Sequence, residues 1–119
     1  MNDPLYEAKD LIARAGMSAF LPTSSAFTST ADSLYPTEVV KLNLVQPIVR
    51  GTGVPNFNEQ RALSILHAIR NNIPIAPVKV YAFAKSPFEY QLFDGFHRYY
   101  LSLALGFTEI PAGINPWRE

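Results

Sequence analysis

Five consecutive residues, Asp94-Gly95-Phe96-His97-Arg98, put an acid, a glycine, an imidazole and a guanidinium side by side. They open the stretch LFDGFHRYYLSLALGFTEIPAGI, from Leu92 to Ile114. If a strand ends at Phe93 and a helix starts two or three residues later, the helix brings backbone N–H groups and a partial positive charge to this point. Gly95 lets a ligand approach the backbone, and Arg98 offers a planar fork that suits phosphate oxygens. Together these groups favour an anion, phosphate above all. Asp94 works against that charge unless it has a task. It could cap the helix, bind a metal that bridges to phosphate, orient His97 or Arg98, or act as a general base toward a hydroxyl. The plainer reading also stands: Asp-Gly is a common turn, and an Asp before a helix is usually its cap.

The elements that must position these residues follow from periodicity. Pro4 to Ala15 has apolar residues at helical spacing and is closed by Gly16. Ser18 to Pro36 reads as an irregular arm, whose Phe20, Leu21, Phe27, Leu34 and Tyr35 call for packing on this subunit or on a neighbour. EVVKLNLV, 38–45, predicts a strand. The loop QPIVRGTGVPNFN leads to a helix from Asn58, with Ala62, Leu63, Ile65, Leu66 and Ile69 on one stripe, ended by Asn71-Asn72. APVKVYAF and YQLF predict a hairpin. Phe96 or His97 to Leu105 reads as a buried helix closed by Gly106, followed by a short closing strand EIPAGI. The order β, α, β, β, α, β implies an α+β fold, a small mixed sheet with helices packed on it.

Composition narrows the function classes. The chain has 119 residues, enough for one sizeable core. Ten basic side chains balance ten acidic ones, so there is no overall cationic field to advertise nucleic acid. There is no cysteine, which removes disulfides, thiolate catalysis and cysteine metal sites, and fits a cytoplasmic protein. No metal site is assigned. Neither a secretory signal nor a membrane span is expected.

The quoted stretch resembles the signature of the ParB/sulfiredoxin superfamily, in which a strand and a glycine-containing turn with His-Arg or Arg-Arg lead into a helix, a glycine and an Ile-Pro-Val-like strand. Phe93, Asp94-Gly95, His97-Arg98, Gly106 and Ile110-Pro111 stand in that order. Upstream, VVKLNLVQPIV and NFNEQRALSILHAIRNN-IPIAPVKVY are similar to the family's first strand, helix and next strand. The resemblance covers about residues 38–115. It implies a ParB/sulfiredoxin-like domain over 38–119, of the ParB N-terminal nuclease/nucleotide-binding kind, preceded by a helix and Ser/Thr-rich arm over 1–37. It also implies that Gly95, His97 and Arg98 hold phosphate, with Arg61 reaching in from the preceding helix. Arg50, Gly51 and Thr52 of the loop before that helix are further candidates.

Departures from the family are informative. Sulfiredoxin needs a catalytic cysteine immediately before its His-Arg pair. Here that position is Phe96, and cysteine sulfinic acid reduction is excluded. Partition ParB proteins carry a helix-turn-helix module after this domain. With the sequence ending at Glu119, a stand-alone domain is expected.

Two functions are consistent with these residues. One is a ParB-like domain that grips phosphates of DNA or nucleotide and serves in transcription regulation or plasmid maintenance, with a homodimer joined through the N-terminal arm. The other is a nucleotide-dependent enzyme, such as a free serine kinase or an NTPase, using a nucleotide with magnesium. Asp94 would then be base or metal ligand, and Glu59 a further carboxylate. The first is preferred because no complete catalytic constellation can be named.

Overall fold

The computed structural model describes residues 4–31, 34–47, 58–82 and 85–116. Arg50, Gly51, Thr52 and Trp117 lie outside them. The chain starts with helix α1 (Pro4–Arg14) and continues through β1 (Thr37–Lys41), a 3-10 turn (Leu42–Leu44) and β2 (Val45–Gln46). Helix α2 (Glu59–Arg70), the hairpin β3 (Val78–Tyr81) and β4 (Tyr90–Asp94), helix α3 (Phe96–Leu105) and β5 (Glu109–Asn115) follow. The strands form one five-stranded mixed sheet in the order β1-β5-β3-β4-β2. Pairs β1/β5 and β3/β4 are antiparallel, whereas β3/β5 and β2/β4 are parallel. The expected α+β architecture is therefore present.

Two elements differ from the expectation. EVVKLNLV is not one strand, because the 3-10 turn interrupts it. A 3-10 turn repeats every three residues, so Leu42 and Val45 both reach the core, which a continuous period-two strand could not arrange. EIPAGI is no mere closing strand. It lies between β1 and β3, and its small apolar side chains suit burial on both faces.

The core lies between the sheet and the helices. Val78, Val80, Leu92, Ile110 and Ala112 from the sheet meet Ala62 and Leu66 of α2, Leu101 and Leu105 of α3, and Ala8, Leu11 and Ile12 of α1. A glycine in the left-handed region turns the chain after α1, at Gly16, and after α3, at Gly106.

The described part of the arm is fastened to its own subunit. Phe27 is buried, and the rings of Phe20 and Phe107 lie 6.2 Å apart. The Ser25 carbonyl accepts from the N–H groups of Thr108 and Glu109, and Thr28 and Thr30 bond with Ile75. Leu21 and Leu34 remain exposed. Within the described residues no helix is long and apolar enough to cross a membrane.

Candidate functional site

Gly95 is the pivot between β4 and α3. Its φ of +106° lies in a region that L side chains rarely adopt, and a Cβ there would come within 2.6 Å of Val78 Cγ1. Only glycine lets the chain leave β4 so close to β3 and enter a helix at once. Gly95 is also the N-cap of α3 and offers no side chain to the first-turn N–H groups. Asp94 is therefore not the cap: it is the last residue of β4, opposite Lys79.

The N-terminus of α2 meets that of α3. Asn58 caps α2 through Oδ1, which accepts from the Arg61 N–H at 2.8 Å. Its own backbone N–H donates to His97 Nε2 at 2.9 Å. A nitrogen that accepts carries no proton, so His97 is a neutral imidazole protonated at Nδ1. Two helix starts are thus tied by one imidazole, through residues 39 apart in sequence.

Arg98 is held below the surface. Its Nη1 donates to the carbonyls of Ala76 at 2.8 Å and Pro77 at 2.9 Å, and its Nη2 lies 3.8 Å from Asp94 Oδ2. Burial draws the guanidinium below its ordinary value; Asp94 opposes this, and the like charge of Arg61 adds to it. The charge of Arg61 therefore reaches Arg98 across the two helix starts. Of the tasks open to Asp94, orienting Arg98 is the one this geometry displays.

The bonds of Arg98 have a cause in the sheet. Leu42 bonds Thr108 and Ile114 bonds Pro36, so along β1/β5 the even-numbered residues of β5 face β1 and the odd-numbered ones face β3. Continued one step past Val78↔Ala112, the parallel register brings Pro111 opposite Pro77 and would aim an N–H at position 111 toward the Ala76 carbonyl. Proline has no N–H. The Arg98 side chain supplies the donor instead, which is how a proline is accommodated in a central strand.

The remaining candidates fall in various places. Glu59 makes an ion pair with Arg14 of α1, which also bonds Asp10, so this carboxylate braces α1 against α2. Phe96 is half-buried and meets the His97 ring edge-on at 5.7 Å and Tyr100 at 5.0 Å. Tyr99 and Leu101 are buried, and Tyr99 donates to the Val45 carbonyl at 3.3 Å. His67 is exposed beside Asn71, and Arg70 Nη1 reaches the Ala15 carbonyl at 3.4 Å. Among the described residues no three His, Cys, Asp or Glu gather in a way that could hold a metal ion. The sequence marked Asn58 as a helix start but did not reveal it as the partner of His97. Capping is a local signal, whereas that contact exists only once two helices converge.

Two solved structures share this fold. The C-terminally truncated chromosome-partitioning protein ParB from Caulobacter crescentus, complexed with CTP-γ-S, superposes with a TM-score of 0.55 over 70% of this chain and 46% of that one, at 17% identity. Sulfiredoxin from Arabidopsis thaliana does so with a TM-score of 0.53 over 68% of this chain and 85% of its own, at 20% identity. The chain has the ParB/sulfiredoxin fold. It spans about half the length of the ParB structure. No protein-family model and no curated protein matches the sequence. At these identities the likeness is one of fold.

Proposed function

We propose that the chain is a phosphate-binding domain whose site lies where α2 and α3 begin. Gly95, His97, Arg98 and Arg61 are the residues of that site. The observation that carries this reading is the convergence of two helix N-termini, joined by the bond from Asn58 to His97, with Arg61 on one helix and Arg98 on the other. The N–H groups of the first α3 turn and the Arg61 side chain meet phosphate oxygens, and Arg98 contributes its charge from the floor. Arg50 and Thr52 are further candidates that lie outside the described residues.

The phosphates are those of a nucleotide or of DNA. The neighbouring ParB structure contains a cytidine triphosphate analogue, which supports the nucleotide. A DNA-associated role in regulation or plasmid maintenance uses the same contacts on a backbone phosphate. A homodimer through the arm accompanies this role, and it is supported by Leu21 and Leu34, 81% and 74% exposed. The enzymatic alternative rests on Asp94, which faces Arg98 and is about half exposed.

Titration with CTP, ATP and a DNA duplex at low and high salt tests the reading. Arg61→Ala leaves its backbone bond to Asn58 in place and is the cleanest probe. It is expected to weaken phosphate-ligand binding about tenfold, ~1.4 kcal/mol, while Arg70→Ala changes little. Saturable nucleotide binding supports the nucleotide, and salt-sensitive duplex binding supports DNA. Phosphate release that depends on Asp94 would favour the enzyme. Equal affinity in wild type and Arg61→Ala would remove Arg61 from the site.

A further inference from the structure

We infer that His97 is a proton-operated latch between the starts of α2 and α3. The latch is the bond from the Asn58 N–H to His97 Nε2, 2.9 Å long, and it exists only while the imidazole is neutral. In the weakly acidic range where histidines titrate, protonation turns Nε2 into a donor facing another donor. The bond is then lost, and the two N–H groups repel.

Asn58 transmits the change. Its backbone is tethered to α3 through His97, and its side chain caps the Arg61 N–H at 2.8 Å. When the tether opens, the first turn of α2 loses its attachment to α3, and Arg61 rides on that turn. The charged groups on the elements meeting here are Glu59 and Arg61 of α2, Asp94 of β4 with Lys79 opposite it on β3, and Arg98 of α3. Arg14 of α1 engages Glu59. Arg98 faces Asp94. The two arginines favour the closed, neutral latch, and an anion brought between them favours the open, protonated one. Anion occupancy and proton uptake are therefore linked reciprocally. The latch itself rests on the hydrogen bond and not on the phosphate reading.

The test is nitrogen NMR of the uniformly labelled full chain between pH 8 and pH 5. Long-range proton–nitrogen spectra give the tautomer of each histidine, with His67 as internal reference. The expected result is a His97 ring protonated at Nδ1 at high pH, with the Asn58 amide resonance shifting at the midpoint of the His97 ring. In His97→Gln, whose side-chain oxygen accepts without titrating, that pH-dependent shift of Asn58 disappears. An Nε2-protonated His97 at high pH would overturn the inference. So would an Asn58 amide that is indifferent to pH, or one that follows the His67 midpoint. An Asn58 shift that survives unchanged in His97→Gln would do the same. The tautomer is read on the wild-type chain, so the test stands even if the variant does not fold.

Discussion

Replacing Gly95 by alanine separates two costs that usually come together. Among the described residues three glycines have positive φ: Gly16 at +73°, Gly106 at +98° and Gly95 at +106°. A Cβ on Gly16 would meet nothing within 4 Å, and one on Gly106 would only touch Pro22 at 4.0 Å. For these two the cost is conformational, about 1–2 kcal/mol. At Gly95 the new Cβ would lie 2.6 Å from Val78 Cγ1, 2.9 Å from its Cβ and 3.1 Å from its Cα. The last is backbone of a central strand and cannot rotate away. Overpacking of this kind adds about 1–3 kcal/mol. Gly95→Ala should therefore cost about 2–5 kcal/mol, against about 1–2 for Gly106→Ala. Urea unfolding followed by far-UV circular dichroism measures both differences. In thermal melts each kcal/mol corresponds to about 4 °C for a chain of this size. If Gly95→Ala proves no more costly than Gly106→Ala, the close approach of β4 to β3 at this point is wrong, and with it the explanation of how α3 is started.

Arg98→Ala should destabilise by about 2–3 kcal/mol, because it removes charged donors from two carbonyls. If the side chain stands in for the missing N–H of Pro111, the cost should fall in a Pro111→Ala background, which a double-mutant cycle reads directly. Additive effects would dissociate the two residues. Ser102 is fully buried, and its hydroxyl has no hydrogen-bond partner among the described residues. Ser102→Ala should be neutral to stabilising by up to about 1 kcal/mol in urea titration, and a clear loss would reveal a partner. Burial, with a smaller contribution from Tyr100, pushes the Tyr99 phenol up from 10.0 to about 12. The folded state then holds a proton that the unfolded state releases. Its stability contribution is complete below pH 10 and is lost as pH rises toward about 12. Tyr99→Phe should flatten that alkaline decline in denaturant titrations, and an unchanged decline would assign it elsewhere.

Much of this architecture could be read from local pattern. The start of α2 at Asn58 and the end of α3 at Gly106 followed from capping chemistry, which acts within four residues. The β3–β4 hairpin followed from period-two alternation. The 3-10 turn at Leu42–Leu44 did not, because its residues are as apolar as a strand's and only the demand to bury both Leu42 and Val45 reveals the break. Nor did the central place of β5. Its short apolar run fits an edge or a centre equally, and pairing partners belong to the whole sheet.

The residues of the candidate site divide in the same way. By sequence alone, Asp94-Gly95 read as a turn between a strand and a helix, with His97 and Arg98 at the helix start. Local chemistry determines as much, since glycine's freedom and the helix period need no distant partner. Which way those side chains act was decided by the tertiary structure. Arg98 turns toward Ala76 because a proline in the neighbouring strand leaves that carbonyl short of a donor, and it bonds Pro77 beside it. Asp94 follows Arg98, and Glu59 is drawn to Arg14. His97 is neutral and joined to Asn58 because two helices happen to begin at one place. A hydrogen bond has direction and a reach of about 3 Å, and a sequence specifies neither until the fold has brought its two ends together.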